Sequence, residues 1–93
     1  MSDVLTQLRE TIEDRKRRAP QGSYTAELFE AGLPRIAQKV GEEAVEVAVA
    51  ALSQENDRVV AEMADLVYHC LVLLAARELT WAAVETELAA RFK

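Results

Sequence analysis

The sequence predicts an all-α fold, and three features of its 93 residues indicate this. Apolar residues recur at the three- and four-residue spacing of amphipathic helices along most of the chain. No segment alternates polar and apolar residues with the period of two that is typical of strands. Glycine occurs three times and proline twice, so few positions interrupt a helix. We expect one domain spanning residues 1–93, built as a bundle of four to five helices.

The first helix is expected over residues 1–18, because its apolar side chains form one stripe at helical spacing. Ser2 or Asp3 would act as its N-cap. Four consecutive basic residues, 15–18, stand at its end. They either complement the negative pole of the helix C-terminus or contact phosphate groups of a ligand.

Glycine and proline divide the middle of the chain. A loop is expected over residues 19–23, and Thr25 is expected to cap a short helix that ends at Gly32. Pro34 suits the first turn of the next helix, because the N–H that proline lacks would have no partner there. This long helix is expected to continue to Ser53.

Two further helices are expected in the C-terminal part of the chain. Asn56 or Asp57 would cap a helix that continues to about Arg77. Thr80 would cap the last helix. Its apolar side is expected to consist of Trp81, Val84, Leu88 and Phe92.

The composition excludes several classes of protein. Sixteen acidic and 11 basic residues give a net charge of −5, which argues against nucleic acid as a partner, because binding to its phosphates requires Lys and Arg. The longest apolar stretch, Leu66 to Ala76, is shorter than the about 20 residues that span a bilayer. With no signal-peptide pattern either, we expect a cytoplasmic protein without a membrane partner. The single cysteine, Cys70, is expected to be a buried structural thiol.

Hydrophobic residues make up 51% of this short chain. A single small protomer buries only about two-thirds of its unfolded surface. The apolar surface that remains predicts a homodimer or a higher homo-oligomer.

Two helices carry acidic faces within nearly continuous apolar sequence. On the third helix the residues of this face span a sector of roughly 100°, and on the fourth helix a sector of roughly 60°. They are Lys39, Glu42, Glu43 and Glu46 on the third helix and Glu62, Asp65 and His69 on the fourth. The short connection predicts that the two helices are antiparallel neighbours, so that the acidic faces meet.

Two carboxylate pairs with a spacing of three residues, Glu43 with Glu46 and Glu62 with Asp65, can therefore surround one point. Oxygen ligands alone favour Mg²⁺, with Mn²⁺ as an alternative, and predict hydrolysis of a phosphoanhydride. We also expect Glu62 and Asp65 to have no basic partner along their own helix. The competing interpretation is a solvated acidic surface without a metal. A di-iron centre is disfavoured because it needs two Glu-x-x-His motifs and His69 is the only histidine, which we expect to be structural.

Three stretches carry a resemblance to a known family: 22–29 (Gly-Ser-Tyr-Thr-Ala-Glu-Leu-Phe), 39–46 (Lys-Val-Gly-Glu-Glu-Ala-Val-Glu) and 62–69 (Glu-Met-Ala-Asp-Leu-Val-Tyr-His). With these, the chain resembles the MazG-like all-α nucleoside triphosphate pyrophosphohydrolases. Within that superfamily it resembles the phosphoribosyl-ATP pyrophosphohydrolases (diphosphatases) of histidine biosynthesis. The resemblance implies hydrolysis of the α–β anhydride of phosphoribosyl-ATP, with Mg²⁺, to phosphoribosyl-AMP and pyrophosphate, the second step of that pathway.

The resemblance also implies a role for each site residue. Glu42 would activate water or orient a ligand beside the metal, and Lys39 would contact phosphate or balance the acidic cluster. The implied metal ligands are Glu43, Glu46, Glu62 and Asp65. Those implied to lie near the substrate are Ser23, Tyr24 and Thr25.

Two other functions remain compatible with the sequence. One is a housekeeping nucleoside triphosphate pyrophosphohydrolase of the same fold, and the other is a non-catalytic helical assembly module. One departure from the resembled family concerns Glu78, where the family often has a glycine that ends the penultimate helix. We expect this difference to affect stability and not chemistry.

Overall fold

The computed structural model describes residues 3–92, and within that range the chain forms five α-helices and no strand. The all-α prediction is therefore confirmed. The proposed caps of the first helix, Ser2 and the side chain of Asp3, lie outside the described part. The helices are α1 (Asp3–Arg18), α2 (Tyr24–Ala31), α3 (Leu33–Ser53), α4 (Asn56–Ala76) and α5 (Trp81–Ala90).

Two of the predicted N-caps are wrong. The cap of α2 is Ser23, whose hydroxyl accepts a hydrogen bond from the backbone N–H of Ala26, so Thr25 lies inside the helix and is free to bond elsewhere. Helix α4 begins at Asn56 after Glu55, which makes no side-chain capping bond. The prediction for α5 is confirmed, because the Thr80 hydroxyl accepts from the N–H of Ala83.

Helices α3 and α4 form an antiparallel hairpin joined by two residues, Gln54 and Glu55. They pack against each other more extensively than any other pair of helices, while α1 and α2 cover one part of the hairpin. Six buried side chains from these four helices form the core: Ile12, Leu28, Ile36, Leu71, Val72 and Ala75. The short connection thus brings the two acidic helix faces together.

The last helix packs less closely than the others. Trp81, at its start, lies against the core, and Val84 is half-buried. Leu88 is 47% exposed, and Phe92 lies beyond the end of the helix and is 83% exposed. The expectation that all four residues form one side of α5 is therefore wrong for Phe92.

By length and composition alone, the 21-residue helix α4 could cross a membrane, because its most apolar 18-residue window has a mean hydropathy of 1.8. It instead has the features of a bundle's core helix. It buries the carboxylate residue Glu62 and the imidazole residue His69, and it packs against α1, α2 and α3. A carboxylate or imidazole that faced lipid would be costly, so the burial of Glu62 and His69 against other helices argues against a lipid-facing position for these two residues.

Candidate metal centre

Three carboxylates from the two helices of the hairpin meet at one point. Glu43 of α3 and Glu62 and Asp65 of α4 each offer one oxygen, and these oxygens all lie within 4.8 Å of one another. Glu43 and Glu62 are each only 7% exposed, whereas Asp65 is exposed. Carboxylates that are gathered this closely and mostly withdrawn from water repel one another, so the arrangement favours a cation between them.

Glu46 lies at the edge of this group. It is exposed and is not among the three carboxylates that meet at one point. The negative charges of Glu62 and then Glu43 raise the pKa of its carboxyl group, which places Glu46 beside both. The predicted set of four carboxylates is thus arranged as three that converge and one neighbour.

Lys39 lies one turn before Glu42 and Glu43 on α3 and forms an ion pair with each of them. Its Nζ is 3.3 Å from Glu43 Oε2 and 3.4 Å from Glu42 Oε1. Burial lowers the pKa of Lys39, but hydrogen bonds to Glu43 and Glu42 and the nearby Tyr24 outweigh it, and the net shift is upward. Lys39 is therefore a cation at neutral pH.

Glu42 is exposed and is not among the three carboxylates that converge. It accepts a hydrogen bond of 2.9 Å from the Gln38 side-chain amide, four residues earlier. That bond, followed by the contact with Lys39, lowers the pKa of the Glu42 carboxyl group. The i, i+4 spacing of Gln and Glu is the sequence signal that would have indicated this bond.

Arg58 is a site neighbour that the sequence interpretation missed. Its guanidinium forms an ion pair of 2.5 Å with Glu62, four residues later on α4. The expectation that Glu62 has no basic partner along its own helix is therefore wrong, and the i, i+4 spacing of Arg and Glu would have predicted the pair. Asp65 has no such partner among the ion pairs of the described residues.

Residues 23–25, which we call the Ser-Tyr-Thr segment, lie at the start of α2. Two of its side chains, Tyr24 and Thr25, contact α4 next to the carboxylates. The Tyr24 hydroxyl lies 3.1 Å from His69 Nε2, and His69 Nδ1 lies 2.7 Å from the backbone oxygen of Asp65. A carbonyl oxygen only accepts, so Nδ1 carries the proton, and in the neutral ring Nε2 accepts from Tyr24. Thr25 bonds to the hydroxyl of Tyr68. This segment is thereby held against α4 one turn beyond Asp65.

His69 and Cys70 are neighbouring residues of α4 that were both expected to be structural. His69 is buried and has a hydrogen-bond partner on each ring nitrogen, as expected for a structural histidine. Cys70 is half-buried and not fully buried, and burial raises the pKa of its thiol. A raised pKa leaves the thiol protonated and unreactive at neutral pH.

The donor set fits a hard divalent cation. The converging atoms are all carboxylate oxygens, which Mg²⁺ and Mn²⁺ prefer, and no thiolate or imidazole nitrogen is among them. Five carboxylates lie in or beside the cluster, whereas among the described residues the positive charge beside them comes from Lys39, Arg58 and, near Glu42, Arg35. The excess negative charge leaves a divalent ion electrostatically favoured.

The fold and the site define a class: all-α proteins with an all-oxygen candidate metal centre between two antiparallel helices. The family model described as phosphoribosyl-ATP pyrophosphohydrolase matches residues 5–92. The chain belongs to this family. The resemblance inferred from the three sequence stretches is thus confirmed.

Relatives with this name are similar over nearly the whole chain. The chain is 53% identical to the phosphoribosyl-ATP pyrophosphatase of Metallosphaera sedula over 93 residues, which covers all of both proteins. It is 52% identical to the one of Ignicoccus hospitalis over 98% of this chain and 89% of that protein. It is also 52% identical to the histidine biosynthesis bifunctional protein HisIE of Xylella fastidiosa, over 88% of this chain and 40% of that longer protein.

Proposed function

We propose that this chain hydrolyses the α–β phosphoanhydride of phosphoribosyl-ATP, giving phosphoribosyl-AMP and pyrophosphate. Its membership of the phosphoribosyl-ATP pyrophosphohydrolase family supports this activity, as do relatives with that name over the full chain length. The structural observation that carries the proposal is the convergence of Glu43, Glu62 and Asp65. The relative named for histidine biosynthesis supports a place in that pathway, which we assign to the cytoplasm.

We propose Mg²⁺ as the cofactor, held by Glu43, Glu62 and Asp65, with Glu46 as a fourth ligand. When bound, Mg²⁺ neutralises charge on the polyphosphate, polarises phosphorus and lowers the pKa of a coordinated water. The chain contributes a preformed group of oxygens on two rigid helices. Its two buried members, Glu43 and Glu62, are held by Lys39 and Arg58.

Lys39 and Glu42 would act beside the ligands. Lys39 stays charged at neutral pH and stands at the rim of the cluster, where its ammonium group can contact phosphate oxygens of the substrate. The lowered pKa of Glu42 makes it a weak proton acceptor but a good hydrogen-bond acceptor. We therefore assign Glu42 to orienting the attacking water rather than to removing its proton.

The contacts of the Ser-Tyr-Thr segment suggest how it would serve the substrate. Ser23 fixes the start of α2, and Tyr24 and Thr25 fasten that helix to His69 and Tyr68 of α4. Tyr24 as a residue is 47% exposed, although its hydroxyl bonds to His69. The segment would thus form a wall of the substrate site next to Asp65.

We further propose that the protein works as a homodimer or higher homo-oligomer. Val45, Val49 and Leu52 form an exposed apolar stripe on α3, with 62%, 49% and 89% of their surface accessible. They lie within a sector of roughly 60° on the helix. Gly41 lies close to this stripe, and a Cβ placed there would meet no atom within 4 Å, so the protomer itself does not need the glycine. A helix of a second copy could approach closely at that position.

The decisive experiment measures pyrophosphate release from phosphoribosyl-ATP with Mg²⁺ and with EDTA, with ATP and dUTP as competing substrates. We expect metal-dependent turnover that strongly favours phosphoribosyl-ATP. Glu62→Gln is expected to lower kcat/KM on the order of 100-fold or more. Glu87→Gln is a matched control, because Glu87 is an exposed glutamate of α5 that pairs with Arg91 and lies outside the carboxylate cluster.

The other outcomes are equally informative. Preferred turnover of ATP or dUTP would replace the proposal with a housekeeping pyrophosphohydrolase. Folded protein without turnover of any substrate in Mg²⁺ or Mn²⁺ would overturn the enzymatic assignment and favour an assembly module.

A further inference from the structure

The C-terminal end of α1 concentrates positive charge in an otherwise acidic protein. Residues 15–18 are all basic, whereas the whole chain carries a net charge of −5. We call these four residues the basic corner. Its three arginines share one carboxylate, Asp14, at N–O distances of 2.8, 3.0 and 3.4 Å. One carboxylate cannot neutralise three guanidinium groups, so positive charge remains.

The four residues of the basic corner differ in how strongly contacts within the protein hold their side chains. Lys16 donates a hydrogen bond of 2.8 Å to the Ala75 backbone oxygen and lies 5.9 Å from the centre of the Phe29 ring. It therefore fastens α1 to the end of α4. Among the described residues, the ion pairs of these three arginines are all with Asp14, and those of Arg17 and Arg18 are exposed, so they are weak and readily exchanged for another anion, whereas that of Arg15 is partly buried.

Two of these arginines line a groove. Arg15 and Arg18 border a depression of about 370 Å³ whose opposite side is the loop that includes Gly22 and Ser23. Asp14 is the acidic residue that lines this depression. A neighbouring groove of about 500 Å³ shares Arg15 and Gly22 and continues towards Phe29, where Glu27 and Glu30 also line it. Arg17 lines neither groove.

The groove adjoins the candidate metal centre through the chain itself. Ser23 borders the groove, and the next residue, Tyr24, bonds to His69. His69 in turn bonds to the backbone of Asp65. A ligand that occupied both the groove and the carboxylate cluster would therefore pass the start of α2 and this chain of contacts.

We propose that Arg15 and Arg18 bind the 5′-phosphate of the second ribose of phosphoribosyl-ATP, at the opposite end of the substrate from the triphosphate. This inference rests on the proposed function. The substrate carries two anionic ends separated by two riboses and a purine, and the surface offers two matching places, a carboxylate cluster suited to a metal-bound polyphosphate and an arginine-lined groove. Guanidinium groups suit a phosphate dianion because they donate paired hydrogen bonds. A helix end that merely needed positive charge would not require the groove.

The test compares Arg15→Gln/Arg18→Gln with Arg17→Gln in the full-length protein. Arg17 belongs to the same helix end and also pairs with Asp14, but it does not line the groove. We expect the double variant to raise KM for phosphoribosyl-ATP about tenfold, with kcat changed less than about twofold, because phosphate contacts far from the cleaved bond contribute to binding. Arg17→Gln should change KM less than about twofold. Asp14→Asn, which frees the guanidinium groups, should lower KM.

A second measurement uses ribose 5-phosphate as a probe, titrated calorimetrically in EDTA, with ribose as the control. We expect ribose 5-phosphate to bind the wild-type protein and to bind the double variant about tenfold more weakly. An unchanged KM and unchanged ribose 5-phosphate binding in the double variant would overturn the inference, and so would an equal effect of Arg17→Gln. If the wild-type protein does not hydrolyse phosphoribosyl-ATP at all, the proposed function fails. In that case the ribose 5-phosphate titration alone still decides whether the groove binds phosphate.

Discussion

At the scale of single residues, two glutamates one turn apart on α3 have pKa values shifted in opposite directions. The pKa of Glu46 is raised because Glu62 and Glu43 place negative charge beside it. The pKa of Glu42 is lowered because Gln38 and Lys39 donate to it. The protein therefore disfavours the ionised form of Glu46 and favours the ionised form of Glu42.

This contrast predicts opposite effects of one substitution on stability. A raised pKa in the folded protein favours folding at low pH, and this contribution is lost as pH rises through that pKa. Glu46→Gln should therefore raise the melting temperature in EDTA above about pH 5, where the ordinary glutamate pKa of about 4.3 has been passed. Thermal denaturation followed by circular dichroism between pH 4 and 8 measures the effect.

Glu42→Gln is the matched variant with the opposite expected sign. A lowered pKa contributes stability that is present above the ordinary glutamate pKa and lost as pH falls through the folded value. This variant should melt below the wild type at pH 7, with the difference vanishing in acid. If both variants shifted the melting temperature in the same direction at pH 7, the electrostatic account of the site would be wrong.

The sequence predicted which carboxylates lie near the candidate metal centre, but it predicted only part of the contacts that they make. Helical spacing placed Glu43, Glu62 and Asp65 on facing surfaces, because a short connection leaves two long helices only the antiparallel arrangement. The helical spacing did not show that Glu46 would lie outside the point where the other three carboxylates converge. That position depends on side-chain rotamers and on the rotation of each helix about its axis. The pairing of Glu62 with Arg58, by contrast, is predictable from their i, i+4 spacing on one helix.

At the scale of helices, the end of α4 combines a favourable hydrogen-bond pattern with an unfavourable residue. The N–H of Leu79 bonds to the carbonyl of Leu74 at 2.8 Å, and the N–H of Glu78 bonds to that of Ala75 at 3.1 Å. These two bonds define a Schellman motif, whose C′ residue adopts a left-handed conformation and is usually glycine. Here the C′ residue is Glu78, with φ of 59°. The departure noted in the sequence therefore falls on the position where glycine is favoured.

Glu78→Gly is accordingly expected to stabilise the protein by about 1 kcal/mol, because a side chain in the left-handed region costs about 1–2 kcal/mol. Urea denaturation measures the change. Ala37→Gly serves as the control, since Ala37 is an exposed residue inside α3 where glycine should cost about 1 kcal/mol. Equal destabilisation by both substitutions would show that the backbone at Glu78 is not strained.

The attachment of α2 to α4 gives a second prediction at this scale. Tyr24→Phe removes the donor to the buried ring of His69 and should lower the free energy of unfolding by about 1–2 kcal/mol. Thr25→Val removes the neighbouring bond to Tyr68, which is only half-buried, so water can replace the lost partner and the cost should be smaller. Denaturant titration of the two variants distinguishes them, and an equal or larger cost for Thr25→Val would contradict this explanation.

The hydroxyl residues of this segment show why helix caps were harder to predict than helices. Ser23 and Thr25 are two residues apart, and both side chains can cap a helix. Ser23 has the extended backbone that a cap requires, while Thr25 is inside α2 and bonds to Tyr68. The choice depends on a tertiary contact 43 residues away along the chain, which local sequence does not contain.

At the scale of the whole molecule, the protomer buries little of its apolar surface. Among the described residues, only seven apolar side chains are buried: Ile12, Leu28, Ile36, Ala50, Leu71, Val72 and Ala75. Large apolar side chains on both helices of the hairpin remain exposed, including Leu52 at 89% and Val60 at 69%. The composition predicted this surplus, but it did not predict that several of the exposed apolar side chains would lie on the α3–α4 hairpin.

Burial of this surface by a second copy predicts self-association that one charge can disrupt. Val49 lies in the middle of the apolar stripe on α3 and is 49% exposed, so Val49→Glu should fold normally yet place a charge inside the interface. We expect sedimentation velocity to show a dimer or higher oligomer for the wild type and a shift towards monomer for the variant. Gln7→Glu adds the same charge at an exposed polar position of α1 and should leave the assembly unchanged. A wild-type protein that sediments as a monomer at micromolar concentration would contradict the proposed oligomer, and so would a Val49→Glu variant that associates as strongly as the wild type.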